Sequence, residues 1–210
     1  MEQTFFELNT VTVGPLQTNC YVILSRNKQA IIIDPGFESE KILEVCGQAK
    51  VTHILLTHAH FDHVGAVDII RKKTGCKVLL HAKDRELYGR THNMALLYGM
   101  EAEPLDPPDI LLNSEGQVLD LPLSAHFLET PGHTAGGVCY VLDDLLLSGD
   151  TLFAGSIGRT DFPESSSTDM RRSLEKLISL NDDFKVFPGH GPSTTLEHER
   201  QSNPFLLELV

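Results

Sequence analysis

The chain has 210 residues, of which 41% are hydrophobic and 22% charged, so it can form a core and is expected to be one domain spanning residues 1–210. Seventeen basic against 29 acidic residues give a net charge of −12, which argues against nucleic acid and anionic membrane as partners. Four cysteines without a repeating spacing, an N-terminus without a signal region and no apolar run of roughly 20 residues predict a cytoplasmic protein with no membrane span.

The first half of the chain alternates apolar runs with helical patterns. Strands are predicted near residues 4–13, 20–25, 29–33, 53–56 and 77–81, and helices near residues 38–48, 64–74 and 82–89. Residues 90–115 contain Pro104, Pro107 and Pro108 and show no regular pattern. A long irregular segment in a compact domain is often functional, so this one is expected to be a lid or a pocket wall; the alternative is a plain surface loop. Within it, Tyr98 and Met100 could contact an apolar part of a substrate or simply pack underneath.

The second half repeats the arrangement. Strands are predicted near residues 117–121, 125–130, 137–142, 145–148 and 185–187, and helices near residues 168–180 and 194–203. The polar run at residues 165–168 offers several N-caps for the first of these helices, with Asp169 favourable at its positive end. Two halves that are each strand-rich and then helical predict an α/β (α+β) fold, with two sheets face to face and helices outside.

The stretch from Thr57 to His63 is the most informative in the chain. It holds His58, His60, Asp62 and His63 within six residues, directly after an apolar segment. The tract therefore lies where a buried strand ends and a helix begins. Neutral imidazole and carboxylate are the usual ligands of zinc and similar divalent ions. Four ligands are too many for one tetrahedral ion that keeps an open position, so the density predicts two metal ions.

Three further turns supply ligands in the same way. His133 and His190 each follow a Pro-Gly pair at the end of an apolar segment, and Asp150 follows Gly149. Proline and glycine fix such turns and let the backbone approach an ion. The candidate metal ligands are His58, His60, Asp62, His63, His133, Asp150 and His190. The other five histidines lie in no such turn, and an ordinary structural role is expected for them; His53 could support the site from behind, and His81 could line the pocket.

These residues carry a family resemblance. The tract His-x-His-x-Asp-His, followed by Pro-Gly-His, Ser-Gly-Asp-Thr and Pro-Gly-His-Gly, resembles the metallo-β-lactamase superfamily. Within it the chain resembles the glyoxalase II-like (hydroxyacylglutathione) hydrolases in their short bacterial form, which lacks the C-terminal helical domain. The similarity runs nearly end to end and includes the stretches 14–21, 34–36, 149–153, 158–162 and 203–205. The resemblance implies a four-layer αββα sandwich with the metals at one edge.

The ligand roles follow from the resemblance, position by position. It implies one metal ion on His58, His60 and His133, a second on Asp62, His63 and His190, and Asp150 as a bridge between the two. Zinc is the expected metal, with iron or manganese as alternatives. True β-lactamases usually have a cysteine in the second site, whereas no cysteine of this chain falls in a ligand turn. The ligand set therefore argues against a β-lactam substrate.

The resemblance implies a small-molecule thioester substrate, such as S-lactoylglutathione, that is hydrolysed to a 2-hydroxy acid and a free thiol. Asp62 and Asp150 are the expected catalytic carboxylates. A thiol with a pKa of about 8.5 leaves as thiolate without a dedicated acid, which favours thioesters and esters over amides. Arg159 is the candidate for binding a substrate carboxylate because of its planar guanidinium. A surface ion pair of Arg159 with Asp161 or Glu164 is the alternative.

Other functions stay open at this point. One is a persulfide dioxygenase with a single ferrous ion on His58, His133 and Asp150; others are a lactonase or general esterase, and a non-catalytic metal-binding module. The complete set of seven ligands speaks against the last of these. The protein is expected to be a monomer or a small homo-oligomer.

Overall fold

The computed structural model describes residues 6–100 and 102–209. Within them, the N-terminal sheet has six strands in chain order: β1 (Phe6–Val13), β2 (Thr18–Ser25), β3 (Gln29–Ile33), β4 (Lys50–Leu55), β5 (Lys77–His81) and β6 (Ile110–Leu112). The first three strands pair antiparallel, and β3 to β6 pair parallel. Because parallel strands all end at one edge of a sheet, the turns that leave β3, β4 and β5 lie side by side.

Helices connect the parallel strands. They are α1 (Ser39–Cys46), α2 (Phe61–Val64), α3 (Val67–Thr74), α4 (Arg85–Gly89) and α5 (Thr91–Leu97), with a 3₁₀ turn at Ala82–Asp84. The single-turn helix α2 follows β4 after five residues and contains Asp62 and His63, the last two ligands of the tract. No helix among residues 6–100 and 102–209 is long and apolar enough to cross a membrane.

The second sheet also has six strands within the described residues. They are β7 (Gly116–Gln117), β8 (His126–Glu129), β9 (Val138–Leu142), β10 (Leu145–Gly149), β13 (Lys185–Pro188) and β14 (Thr194–Thr195), in the spatial order β14-β13-β10-β9-β8-β7. A small hairpin of β11 (Leu152–Phe153) and β12 (Ser156–Ile157) follows β10, and the helices are α6 (Ser167–Ile178), α7 (Leu196–Ser202) and α8 (Pro204–Leu207). The β10–β13 pair is parallel, so Asp150 and His190 follow neighbouring strand ends.

The core confirms the four-layer αββα sandwich. Successive side chains of a strand point to opposite faces, and in β3 Ile31 and Ile33 enter the cluster between the sheets while Ile32 packs under the helices of the first half. In the second sheet, Leu147 enters the cluster between the sheets and Leu146 packs on the opposite face with residues of α6.

The elements differ from the sequence predictions in several places, including the unpredicted hairpin of β11 and β12 and the short helix α2 before α3. The irregular segment at 90–115 contains α5 and β6, which pairs with β5 at the sheet edge. The strand predicted at 117–121 stops at Gln117, because Asp120 adopts a left-handed φ of 64° and the following Pro122 has no N–H to donate. The closing helix predicted at 194–203 begins after β14, and a new helix starts at Pro204. The predicted residues 4, 5 and 101 lie outside the described residues.

Candidate metal centre

All seven candidate ligands come together at the edge where the strands of both sheets end. His58 and His60 lie in the turn after β4, and Asp62 and His63 lie in α2. His133 follows β8, and Asp150 and His190 follow the parallel strands β10 and β13. The two sheets are joined here by a backbone hydrogen bond of 2.7 Å from Asn19 N to Gly189 O. The ligands of both sheets therefore face one space.

The ligand side chains form two groups that lie next to each other. The ligand atoms of His58, His60 and His133 lie within 4.8 Å of one another, and so do those of Asp62, His63 and His190. In the first group, His60 Nδ1 is 2.8 Å from His133 Nε2. In the second, His63 Nε2 is 3.4 Å from His190 Nε2, which is 3.2 Å from Asp62 Oδ2.

Asp150 lies between the two groups. Its Oδ2 atom is 3.4 Å from His133 Nε2 of the first group and 3.6 Å from His190 Nε2 of the second. Its Oδ1 atom is 3.5 Å from His63 Nε2. One carboxylate therefore contacts ligands of both groups.

The outer ring nitrogen of each histidine has an acceptor behind it. The partners are Thr57 Oγ1 for His58 Nδ1 (3.0 Å), Glu164 Oε1 for His60 Nε2 (3.0 Å), Asp34 Oδ2 for His63 Nδ1 (3.0 Å), Arg159 O for His133 Nδ1 (2.9 Å) and Leu16 O for His190 Nδ1 (3.0 Å). Thr57 Oγ1 donates its own hydrogen to Asp34, so it accepts from His58. We assign the proton of each imidazole to this outer nitrogen from its partner. The inner nitrogens then carry lone pairs, as metal-ligating histidines do.

This arrangement fits cations and not a hydrogen-bonded core. In the neutral tautomers assigned above, the inner nitrogens are acceptors that face one another and the carboxylate oxygens. Among the described residues, His58 Nε2 and Asp150 Oδ1 are buried with no hydrogen-bond partner. Leaving such a group unsatisfied costs about 1–3 kcal/mol each. A cation bound in each group would supply the missing positive charge.

The pKa values follow the same division. Burial, and then the neighbouring histidines, hold the pKa of His58 well below its usual value, and burial with His133 lowers the pKa of His60. Burial also opposes charge on His63, but the carboxylates of Asp62 and Asp150 outweigh it and raise the His63 pKa to about 10. Burial would raise the pKa of Asp62, yet His63 and His190 lower it overall. Burial thus holds His58 and His60 neutral, whereas the carboxylates around His63 favour a positive charge at that position.

Two buried carboxylates that the sequence predictions did not include hold the ligand-bearing turns. Asp34 accepts hydrogen bonds from Thr57 N (2.8 Å) and Thr57 Oγ1 (2.6 Å) as well as from His63. Asp84 accepts from Ala59 N at 3.0 Å and from two groups just after His133, which are Thr134 Oγ1 (2.8 Å) and Gly136 N (2.6 Å). Each carboxylate follows a buried strand of the first sheet, at the position where the sequence rule sought metal ligands. That rule finds their positions at the sheet edge but not their hydrogen-bond partners.

Five of the seven ligands form the floor of a cavity of about 310 Å³, namely His60, Asp62, His133, Asp150 and His190. Its apolar walls are Leu16, Phe61, Met94, Tyr98, Phe153 and Phe162. Tyr98 and Met94 come from the segment 90–115, which is therefore a pocket wall as predicted, whereas Met100 lines a separate cavity. Arg159 lies at the rim, where its side chain is 63% exposed, bonds both oxygens of Asp161 at 2.8 Å and stacks 4.5 Å above Phe162. Arg159 thus lines the pocket and also forms the surface pair that the sequence left as the alternative.

Fold and site together define a metal-dependent hydrolase built as an αββα sandwich. The chain belongs to the metallo-β-lactamase superfamily, whose family model matches residues 13–190.

Two relatives in sequence are similar over nearly the whole chain. A probable metallo-hydrolase, YqgX, of Bacillus subtilis is 39% identical over 201 residues, which cover 92% of this chain and 94% of that protein. The hydroxyacylglutathione hydrolase GloC of Haemophilus influenzae is 35% identical over 206 residues, which cover 95% of this chain and 97% of GloC.

Solved structures agree with the fold. The BLEG-1 B3 metallo-β-lactamase superimposes with a TM-score of 0.89 at 37% identity and covers 95% of this chain and 99% of its own. TTHA1623 in a di-iron-bound form gives a TM-score of 0.87 at 38% identity; the match covers 94% of this chain and 100% of the TTHA1623 chain. ETHE1 from Myxococcus xanthus gives a TM-score of 0.78 at 26% identity; the match covers 94% of this chain and 83% of the ETHE1 chain.

Proposed function

We propose that the protein is a binuclear hydrolase that cleaves a thioester such as S-lactoylglutathione into a 2-hydroxy acid and a free thiol. The observation that carries the proposal is the pair of ligand groups joined by Asp150 on the floor of an open cavity. The similarity to GloC supports the substrate class. Zinc suits the histidine and aspartate donors best, and iron or manganese are the alternatives; the di-iron form of TTHA1623 supports iron for that neighbour.

His58, His60 and His133 would hold one ion, Asp62, His63 and His190 the other, and Asp150 both. When bound, the ions activate a water molecule and polarise a substrate carbonyl. The chain itself fixes the donors. Five outer acceptors hold the imidazoles, and Thr18 Oγ1 donates a 2.9 Å hydrogen bond to Asp62 Oδ2. Little reorganisation is then needed when substrate arrives.

The choice of a thioester is supported by the metal ligands and Arg159, none of which is placed to give a proton to a leaving group. The ionisable groups that line the cavity are five of the ligands, Tyr98 on the wall and Arg159 at the rim. Arginine keeps its proton in proteins. Asp62 has a lowered pKa, because His63 and His190 outweigh the effect of burial, and so it stays a carboxylate at neutral pH. An amide would need a donor for its leaving nitrogen, whereas a thiol with a pKa of about 8.5 departs as thiolate.

Arg159 gives the substrate an anchor at the rim. Its guanidinium can bind a substrate carboxylate in the same two-pronged manner in which it binds Asp161. The stack on Phe162 keeps the group above the cavity. A substrate therefore fits if its acyl group lies at the metal ligands while its carboxylate reaches Arg159 at the rim.

The test is hydrolysis of S-D-lactoylglutathione by the zinc-loaded protein, followed as release of free thiol. We expect turnover that EDTA abolishes and zinc restores. A cephalosporin β-lactam belongs in the same assay because BLEG-1 is a B3 metallo-β-lactamase at 37% identity. Absence of thiol release from protein that holds two ions per chain would reject the proposal.

A second candidate is a persulfide dioxygenase with one ferrous ion. Two histidines and one carboxylate suit non-haem iron, and His58, His133 and Asp150 line one small recess. The complete second group, with Asp62, His63 and His190, favours two ions and hydrolysis. Oxygen uptake with glutathione persulfide and one iron per chain would reverse that preference. A lactonase or general esterase is distinguished by adding lactones and simple esters to the assay.

A further inference from the structure

The segment from Gly158 to Ser165 wraps around the first ligand group. The Arg159 carbonyl accepts from His133 Nδ1, and Ser165 Oγ donates to the His133 carbonyl at 2.7 Å. The Phe162 ring lies 5.3 Å from the His60 ring and 5.8 Å from the His133 ring. This segment therefore sets the positions of two ligands of one group. It makes no comparable contact with Asp62, His63 or His190 among the bonds and ring contacts of the described residues.

Glu164 is the charged member of this segment. Its Oε1 atom lies 3.0 Å from His60 Nε2, and the side chains of His60 and Glu164 are 6% and 18% exposed. Glu164 does not line the cavity above the metal ligands, where His60, Arg159 and Phe162 do. It is placed to act on His60 and not on a substrate.

His60 is turned the opposite way from the other four histidine ligands. Those four direct Nε2 into the site and Nδ1 outwards, whereas His60 directs Nδ1 towards His133 and Nε2 outwards. An imidazole that ligates through Nδ1 must carry its proton on Nε2. Glu164 is the acceptor for that proton, and a carboxylate is the strongest kind of acceptor for it.

The two groups also differ in where their negative charge lies. The second group contains Asp62, and Asp34 stands behind His63. The first group consists of three imidazoles and shares Asp150. Glu164 is the carboxylate behind a histidine of the first group, as Asp34 is behind His63. Each group thus has one carboxylate–imidazole pair, an arrangement that orients the ring and raises its basicity as a ligand.

We infer that Glu164 is a positioning residue, which fixes His60 as an Nδ1 ligand and sets the metal affinity of the first group while leaving that of the second group largely unchanged. The inference rests on the proposed function, because it requires that the two groups bind metal. Without the carboxylate, the His60 proton has no buried acceptor. The ring can then take the other tautomer or rotate, and either change removes its lone pair from the first group.

The experiment measures stepwise zinc affinities by competition with a chromophoric chelator. The variants are Glu164→Ala and Glu164→Gln, with Glu175→Ala as the control, since Glu175 is an exposed carboxylate paired with Arg171 on α6. We expect Glu164→Ala to lower the affinity for one of the two zinc ions about 10- to 100-fold, which is the usual effect of losing a hydrogen-bond partner of a ligand. Glu164→Gln should recover part of that loss because its amide oxygen still accepts a hydrogen bond. Glu175→Ala should match the wild type.

Ring ¹⁵N NMR spectra of the zinc-loaded wild type report which nitrogen of each histidine binds zinc and which carries the proton. A merely structural role of Glu164 would not determine this assignment. One histidine, lost from the spectrum in His60→Ala, should coordinate through Nδ1 and carry its proton on Nε2. Equal weakening of both ions in Glu164→Ala, unchanged affinities, or Nε2 coordination by His60 would each overturn the inference. Those outcomes leave the hydrolase proposal intact, whereas a wild-type protein that binds no zinc would remove both.

Discussion

Gly36 is the residue at which one added methyl group should empty one of the two proposed metal sites. It ends the turn after β3 and packs directly beneath α2. A Cβ atom built on Gly36 would lie 1.6 Å from the Asp62 carbonyl oxygen and 2.8 Å from its carbonyl carbon. The backbone of Gly36 has an ordinary φ, so the conflict in Gly36→Ala is one of space alone.

The size of the disturbance follows from that distance. Ordinary nonbonded contact is about 3.5 Å, so the backbone at Asp62 has to retreat by roughly 2 Å, or the turn has to move as far. Metal sites tolerate errors of only about 0.2 Å in ligand distance. The group of Asp62, His63 and His190 should therefore lose its ion, while His58, His60 and His133 keep theirs. Overpacking costs about 1–3 kcal/mol, which lowers the melting temperature of a chain of this size by roughly 2–12 °C.

The assay is zinc content per chain after dialysis, together with thermal unfolding of the metal-free protein. Gly36→Ala should retain about one ion where the wild type retains two, and its melting temperature should fall. Gly89→Ala is the matched control, because no atom lies within 4 Å of a Cβ added there and its φ is ordinary. Two tightly bound ions and an unchanged melting temperature in Gly36→Ala would refute the reasoning.

Three other substitutions test the supports of the site. Tyr21→Phe removes a buried 2.6 Å hydrogen bond from the hydroxyl to the Pro188 carbonyl and should cost about 1 kcal/mol in urea unfolding; an unchanged midpoint would speak against that bond. Asp84→Asn leaves buried donors without their acceptor and should cost about 1–3 kcal/mol in the same measurement, so a stable variant would contradict the role of Asp84. Asp150→Ala should weaken both ions by more than about 100-fold and abolish thiol release without changing the urea midpoint of the metal-free protein; a fully active variant would exclude a shared ligand.

The positions of the ligands were predictable because one physical rule covers them all. A buried strand appears in the sequence as a short apolar run, and the turn after it must lie at a sheet edge. Strands of one sandwich that end at the same edge bring those turns together, whatever their separation along the chain. The amino-acid sequence is therefore enough to group His133 and His190 with His58, although they are 75 and 132 residues away from it.

The supporting residues were not predictable in the same way. Glu164 is 104 residues away from His60, and no pattern in the sequence relates the two. Asp84 follows a strand end as the ligands do, but its carboxylate turns to backbone donors at Ala59 and Gly136, a choice that depends on packing in three dimensions. The edge strand β6 was hidden for a related reason, since three apolar residues just after Pro107 and Pro108 have no period of their own and become a strand only by pairing with β5.

Gly36 supports one ligand group and Glu164 supports the other, with Asp150 between them. Asp150 therefore determines whether one site can lose its ion while the other keeps it. A change at Gly36 moves α2 and hence Asp62 and His63, while a change at Glu164 releases His60. Asp150 contacts ligands of both groups at 3.4–3.6 Å, so an ion lost from one side leaves its carboxylate free to rotate towards the other. The remaining ion keeps Asp150 as a ligand in that case, and its affinity should stay close to that of the wild-type ion in the same group. A variant that holds one ion should therefore be stable enough to isolate. The reactions that it still catalyses need one ion, and the reactions that it has lost need both.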